Sequence, residues 1–131
     1  MVKASVKWQA ETQFEGRSSH AVALDGGSKA GNSPMELVLI ALCGCTASDV
    51  VTILQKKREP FTAVEVQAQA EKAAEPPRVY TEIKLTYRVA GKVSRKAVED
   101  AVRLSEDKYC SVAAMLNKTA KITYEVQLDS Q

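Results

Sequence analysis

The stretch that most constrains this chain runs from residue 33 to residue 60 and reads SPMELVLIALCGCTASDVVTILQKKREP. Ser33 is a good N-cap, Pro34 suits the first helical turn, and Glu36 completes a capping box with Ser33. Cations at 56–58 complement the dipole of the last turn, and Pro60 cannot continue the helix. These signals predict one helix over 34–57, about 36 Å long at ~1.5 Å per residue.

This predicted helix is apolar on nearly every side from Leu37 to Leu42, and its first charge after Glu36 is Asp49. A membrane span is the rival interpretation, but the uninterrupted apolar run is far shorter than the ~18 residues that a span needs. An all-round apolar helix has to be covered by protein. A domain of this size has a radius of gyration of roughly 14 Å, so we expect a second copy of the chain to help cover it.

The rest of the chain alternates between periods of two and of 3.6 residues. Alternating apolar residues predict strands at 2–8, 13–17, 20–24, 64–71, 79–89 and 120–128. A helix capped by Ser94 and a short helix at 112–116 lie before the last strand, with a break at 108–111. The order βββ-α-ββ-α-α-β predicts an α+β fold with antiparallel hairpins and one domain over 1–131.

Composition narrows the class of function. The 131 residues carry 18 basic and 16 acidic side chains, a net charge of +2, so neither a nucleic-acid nor an anionic-membrane partner is expected. The first residues show no apolar core typical of a signal peptide, which favours a cytoplasmic location. Three cysteines are too few for a disulfide scaffold. In a reducing compartment their reactivity is the property to pursue.

The cysteines divide into a close pair and a distant third. Cys43 and Cys45 point to nearly opposite sides of the predicted helix and cannot bridge without unwinding it. The C-x-C spacing and the single histidine, His20, offer no convincing metal site. Cys110 could meet Cys45 only through the fold. The alternative is that all three cysteines are small buried hydrophobic residues.

Four other polar residues have simple structural interpretations. Glu36 serves most economically in the capping box rather than as a catalytic carboxylate. Asp49 lies one turn after Cys45, where its charge would raise a thiol pKa. His20 is expected to be a core or interface polar group, and Arg17 a surface residue in a turn.

Two segments, SPMELVLIALCGCTASDVV and EDKYCSVAAML, carry a resemblance to a known family. Together they resemble the OsmC/Ohr family of thiol-dependent hydroperoxide reductases, and most closely its small OsmC-like branch of YhfA-type proteins. The resemblance covers essentially the whole chain. It implies an OsmC-like fold with antiparallel sheets around a long buried central helix, in an intertwined homodimer with active sites at the subunit interface.

The resemblance also implies a mechanism and its residues. Cys45 matches the cysteine that attacks the peroxide as a thiolate and becomes a sulfenic acid. Cys110 matches the cysteine that condenses with it to a disulfide, which an external dithiol then reduces. Arg17 is the candidate for the arginine that stabilises the thiolate and Glu36 the candidate for the glutamate that holds this arginine, and no cofactor or metal is implied.

One departure keeps other functions open. The family's hydroperoxide-resistance members carry a glutamate directly after the helix-starting proline, where this chain has Met35. That difference motivates a second hypothesis, a redox sensor or small-molecule-binding dimer with little turnover. A purely structural dimer with inert cysteines is the third.

Overall fold

The computed structural model describes residues 1–129. The chain divides into two compact units, Met1–Ile40 and Ala41–Gln131, and each is described by itself. The long helix α1, Pro34–Lys56, begins in the first unit and ends in the second. The prediction that 1–131 form one domain stays a prediction.

The first unit contains a three-stranded antiparallel meander, β1-β2-β3. Its strands are β1 (Ser5–Ala10), β2 (Gln13–Arg17) and β3 (Ala21–Asp25), with Phe14 paired to Trp8 on one side and to Leu24 on the other. The alternation at 2–8 predicts a strand with one buried side, but β1 begins at Ser5 and all six of its side chains are exposed in the single chain. β1 lies at the sheet edge, paired on one side only.

Two polar residues behave differently in this meander. His20, expected in a core or interface, is exposed in the bend before β3, because the connection runs over the surface. Asp25, by contrast, is buried at the end of β3. It accepts hydrogen bonds from the Thr12 hydroxyl and from the amides of Gly27 and Ala30. These bonds, led by that from Thr12, lower the pKa of Asp25 to about 2.

Helix α1 matches its predicted bounds to within one residue, and its capping box is confirmed. The Glu36 amide donates to the Ser33 hydroxyl at 3.1 Å, and the Glu36 carboxylate accepts from the Ser33 amide at 2.8 Å. The buried residues are spaced four apart on one face: Leu42, Thr46, Val50 and Leu54. By length and composition α1 could cross a membrane, a criterion that the core helix of a soluble protein also meets.

The second unit packs helices on one three-stranded sheet, β4-β5-β6. The strands are β4 (Phe61–Lys72), β5 (Tyr80–Gly91) and β6 (Lys121–Asp129), and the helices are α2 (Arg95–Leu104) and α3 (Ser111–Leu116). A single π-helical turn, Ser105–Tyr109, joins the two helices. The core combines the inward residues of β5 with those of α2: Ile83, Leu85, Tyr87, Val89, Val98, Ala101 and Val102.

The α+β prediction is confirmed, but the sheet is not wholly antiparallel. β4 and β5 pair antiparallel, whereas β5 and β6 run parallel, with Leu85 opposite Tyr124. The chain between β5 and β6 contains α2, the π-helical turn and α3. A helical crossover of this length returns the chain to the same end of the sheet, so the next strand runs parallel.

Candidate active site around two cysteines

Cys110 occupies the turn where the π-helix ends and α3 begins. Its amide donates to the Ser105 carbonyl at 2.8 Å, which closes the π-helical turn. Its sulfur acts as the N-cap of α3 and accepts from the Ala113 amide at 3.3 Å. The residue is 3% exposed. Backbone and sulfur are thus both held in place, and π-helical turns often mark functional sites.

Cys45 and Cys110 lie close to each other within the second unit. Cys45 is half-buried on α1, next to the buried Thr46, and its thiol is close enough to that of Cys110 to raise the Cys110 pKa. Both are free thiols, as is Cys43. The fold therefore brings together two cysteines 65 positions apart in the sequence, which residue spacing alone left open.

The environment of Cys110 keeps its thiol protonated. Burial is the main cause that raises the pKa of Cys110 to about 12, and the neighbouring Cys45 and Glu106 raise it further. The Ala113 amide acts in the opposite direction but does not compensate. At neutral pH Cys110 is thus a neutral thiol, and it needs a proton acceptor before it can react as a nucleophile.

A buried hydrogen-bonded chain lies beside the two cysteines. The Thr46 hydroxyl lies 2.6 Å from the Tyr87 hydroxyl and 2.7 Å from the Ser105 hydroxyl. The Tyr87 hydroxyl also contacts Glu106 at 2.6 Å, and the Ser105 hydroxyl contacts Asp49 at 2.8 Å. Thr46, Tyr87 and Ser105 are 0% exposed. We call these five residues the hydroxyl chain; it runs from one carboxyl group to another.

Burial changes the acidity of two members of the hydroxyl chain. It raises the pKa of Glu106, and the charges of Asp107 and Asp49 act in the same direction, while the hydrogen bond from Tyr87 opposes them. Burial also raises the pKa of Tyr87, assisted by Glu106. Tyr87 is therefore neutral throughout the physiological range, and Glu106 holds a proton more tightly than an exposed glutamate.

At its other end, the hydroxyl chain reaches a surface cavity of about 410 Å³. Asp49, Lys56, Lys57 and Tyr109 are among the residues that line it. The Lys108 ammonium group lies 5.3 Å from the centre of the Tyr109 ring, in a cation–π contact. Asp49 thus connects a buried network to a surface that carries two lysines.

The other two residues predicted for the site lie in the first unit. Arg17 on β2 is 58% exposed and forms an ion pair at 4.0 Å with Glu15. Besides its capping-box bonds, Glu36 accepts a hydrogen bond of 2.8 Å from the Ser28 hydroxyl. Their participation in a site with the cysteines of the second unit stays a prediction.

Cys43 lies two residues before Cys45 on α1. It is half-buried, and burial raises its pKa. Among residues 1–129, no cluster of three or more histidine, cysteine or carboxylate side chains could hold a metal ion.

Comparison with known proteins identifies the family. The family model described as OsmC-like protein matches residues 26–125. Protein YhfA of Escherichia coli strain K12 is 45% identical over 132 residues, which is 97% of this chain and 98% of that protein. The chain belongs to the OsmC-like family.

Solved structures of OsmC-like and related proteins agree with this assignment. A hypothetical protein from Aquifex aeolicus VF5 has a TM-score of 0.87 and 32% identity, covering 98% of both chains. A protein described as organic hydroperoxide resistance protein OsmC, from Legionella pneumophila, has a TM-score of 0.73 over 97% of this chain and 96% of its own. At 13% identity, this second similarity shows the shared fold alone.

Sequence reasoning missed most of the hydroxyl chain in this OsmC-like protein. Only Asp49 was singled out, because it lies one turn after Cys45. Tyr87 lies on the predicted strand 79–89, where a buried tyrosine would need a partner for its hydroxyl, and this is a signal that the sequence contains. Glu106 lies within the EDKYC segment that carried the resemblance. Thr46 and Ser105 show no sequence signal of their own.

Proposed function

We propose that this OsmC-like protein reduces organic hydroperoxides, with Cys45 as the peroxidatic and Cys110 as the resolving cysteine. The observation that carries the proposal is the proximity of a half-buried thiol on α1 to a buried thiol at the start of α3. A second cysteine this close can trap a sulfenic acid before further oxidation. Family membership supports the reaction class, and a protein of the same fold from Legionella pneumophila is described as an organic hydroperoxide resistance protein.

The proposed cycle has three steps. The Cys45 thiolate attacks the terminal peroxide oxygen, the O–O bond breaks, and the alkoxide takes a proton to leave as an alcohol. The Cys110 thiol then condenses with the Cys45 sulfenic acid, which forms the disulfide and releases water. An external dithiol reduces the disulfide and is itself oxidised. Arg17 is the proposed cation that favours the Cys45 thiolate, and Glu36 is the proposed carboxylate that holds this arginine.

The proposal includes a homodimer in the cytoplasm. Much of α1 lies outside the core of the single chain, and Ile40 on this apolar helix is 52% exposed. An apolar helix face of this kind is stabilised when a second copy covers it. The proposed partners are thus another copy, a peroxide and a dithiol, with neither nucleic acid nor membrane involved.

The test is peroxide consumption by the purified protein supplied with cumene hydroperoxide and a dithiol. We expect turnover in the wild type, its loss in Cys45→Ser, and its retention in Cys43→Ser, the matched control on the same helix. Equal rates for the wild type and Cys45→Ser would show that the assignment is wrong.

A second function, a redox sensor or small-molecule binder with little turnover, is favoured by one observation. Met35 occupies the position after Pro34, and the neighbouring Glu36 is engaged with Ser33 and Ser28. The two functions predict a different acidity of the Cys45 thiol. The rate of Cys45 alkylation, measured as a function of pH, reports this acidity. A thiolate that forms only near or above pH ~8.5 favours the binder, and one that forms well below it favours the peroxidase.

A further inference from the structure

The hydroxyl chain has too few protons for its contacts when both of its carboxyl groups are ionised. Tyr87, Thr46 and Ser105 each carry one hydroxyl proton. If Tyr87 donates to Glu106 and Ser105 donates to Asp49, both protons are used. The Thr46 proton alone must then serve the contact of 2.6 Å with Tyr87 and the contact of 2.7 Å with Ser105.

Such an arrangement leaves one of these contacts between two oxygen lone pairs. The contact with Tyr87 is shorter than the ~2.7–2.8 Å typical of a hydroxyl hydrogen bond, and the contact with Ser105 lies within that range. Each contact therefore requires a proton between its two oxygens. Both also lie where no water can relieve the repulsion, since the three hydroxyl residues are fully buried. One additional proton, on either carboxyl group, gives every contact a donor and orients all the bonds in one direction.

We propose that Glu106 and Asp49 share one proton through the hydroxyls of Tyr87, Thr46 and Ser105, forming a proton-holding site beside the cysteine pair. In one state Glu106 donates to Tyr87 and the bonds run towards an ionised Asp49. In the other state Asp49 donates to Ser105 and the bonds run towards an ionised Glu106. Transfer of one proton along each bond converts one state into the other, so the carboxyl groups titrate as a pair.

The surroundings of the two ends favour the proton on Glu106. The groups that act on Glu106 are Asp49 on α1, Tyr87 on β5 and Asp107 in the π-helical turn; Glu106 in turn acts on Cys110 and on Tyr124 of β6. None of these is a cation. Asp49 instead lines a cavity together with Lys56, Lys57 and Tyr109. A negative charge is therefore more stable on Asp49.

No direct ion pair alters the preference of the proton for Glu106 over Asp49. Within the described part of the chain, no lysine or arginine forms an ion pair with either Glu106 or Asp49. The shared proton thus sets the charge of the carboxyl pair at minus one. Without it, two ionised carboxylates would repel each other, and they would also repel any negative charge that develops on Cys110.

The role of the site rests on the proposed function. When Cys110 condenses with the Cys45 sulfenic acid, the S–S bond forms, the S–O and S–H bonds break, and one water leaves. The departing hydroxide takes up a proton while the Cys110 thiol loses one. The hydroxyl chain is linked through the backbone to both participants, since Thr46 follows Cys45 and the Ser105 carbonyl accepts a hydrogen bond from the Cys110 amide. It is a positioning and proton-holding element for this exchange.

The test is a pH titration of the reduced protein in the absence of peroxide. The readout is the NMR signal of the side-chain carboxyl carbons in glutamate and aspartate labelled with carbon-13. Glu106→Gln and Asp49→Asn assign the two signals, and Glu99→Gln, on an exposed side chain of α2, is the control. We expect one proton to remain on the pair near pH 7. Titration of both groups at or below their ordinary pKa of ~4 would overturn the proposal.

A second measurement follows the free energy of unfolding against pH. A carboxyl group whose pKa is raised by folding contributes stability below its unfolded pKa of ~4.3 and loses that contribution as the pH rises through its folded pKa. The wild type should lose stability over this range. Glu106→Gln should not, because its amide can donate to Tyr87 at every pH. If Glu106→Gln does not fold, Asp49→Asn supplies the donor from the other end, and a slope like that of the wild type overturns the proposal.

These measurements separate the inference from the proposed function. A shared proton in a protein that consumes no peroxide contradicts the peroxidase and leaves the proton-holding site intact. Two ordinary carboxyl titrations in an active peroxidase overturn the proton-holding site alone. Where both hold, Glu106→Gln should also change the pH profile of Cys45–Cys110 disulfide formation, measured by mass spectrometry, which a merely structural role would leave in place.

Discussion

The Thr46 hydroxyl lies 2.6 Å from the Tyr87 hydroxyl. This contact joins α1 to β5 at the residue that follows Cys45. This contact positions the helix segment that carries the proposed nucleophile against the core of the second unit. Because both oxygens are fully buried, the loss of either one leaves its partner without an alternative in water. The same contact is therefore a test of stability as well as of chemistry.

Replacing Tyr87 by phenylalanine should destabilise the protein. The change removes one hydroxyl and leaves both Thr46 and Glu106 short of a partner, at a cost of about 1–3 kcal/mol in the free energy of unfolding. Tyr124→Phe is the matched control, since that side chain is 43% exposed and packs edge-on against Tyr87. Denaturant unfolding of the reduced proteins measures both. Equal losses in the two variants would contradict the buried hydroxyl chain.

Replacing Cys110 by serine should trap the oxidised form of Cys45. Serine can still cap α3 by accepting from the Ala113 amide, so the fold should be kept. After one equivalent of hydroperoxide, mass spectrometry should find a Cys45 sulfenic acid in Cys110→Ser and a disulfide in the wild type and in Cys43→Ser. A disulfide that persists in Cys110→Ser would place the resolving thiol elsewhere.

The raised pKa of Cys110 predicts a loss of stability in alkali. The pKa of an unfolded cysteine is ~8.5, whereas that of folded Cys110 is about 12. The folded state holds this proton more tightly, so its contribution is complete below pH ~8.5 and disappears as the pH rises towards 12. Unfolding free energies across this range should fall more steeply in the wild type than in Cys110→Ser. Parallel curves would contradict the burial of a neutral thiol.

Asp25 predicts the opposite behaviour in acid. Its pKa falls to about 2 because the Thr12 hydroxyl and two backbone amides donate to the charged form. That stability is present above the unfolded pKa of ~3.9 and is lost as the pH falls towards 2. Asp25→Asn should flatten the acid limb of the stability curve, and Glu15→Gln on the exposed face of β2 should not. A steep acid limb in Asp25→Asn would assign the effect to other carboxylates.

Ile40 tests the proposed homodimer. If a second copy covers the apolar part of α1, an aspartate at this position would have to be buried without a partner, at high cost. Ile40→Asp should shift the protein to monomers in analytical ultracentrifugation. Met115→Asp, at a 65% exposed position on α3, is the control. A dimer that survives Ile40→Asp unchanged would exclude this helix face from the interface.

Much of the fold could be predicted because its signals are local. Ser33, Glu36 and Pro60 define α1 through contacts within a few residues, and the period-two alternation located the strands. The exceptions depend on what covers an element. β1 alternates apolar and polar residues, yet its side chains are exposed in the single chain. The parallel pairing of β6 follows from the crossover through α2 and α3 and not from the residues of β6.

The sequence by itself determined the helix and strand order, the caps of α1 and the presence of two cysteine-bearing segments, because each depends on residues a few positions apart. Only the tertiary structure decided that Cys45 meets Cys110 and that Thr46 lies between Tyr87 and Ser105, which are 41 and 59 positions away. Contacts at such separations result from the packing of the whole unit, which no local pattern of residue types encodes. The proton count of the hydroxyl chain, in turn, depends on those contacts.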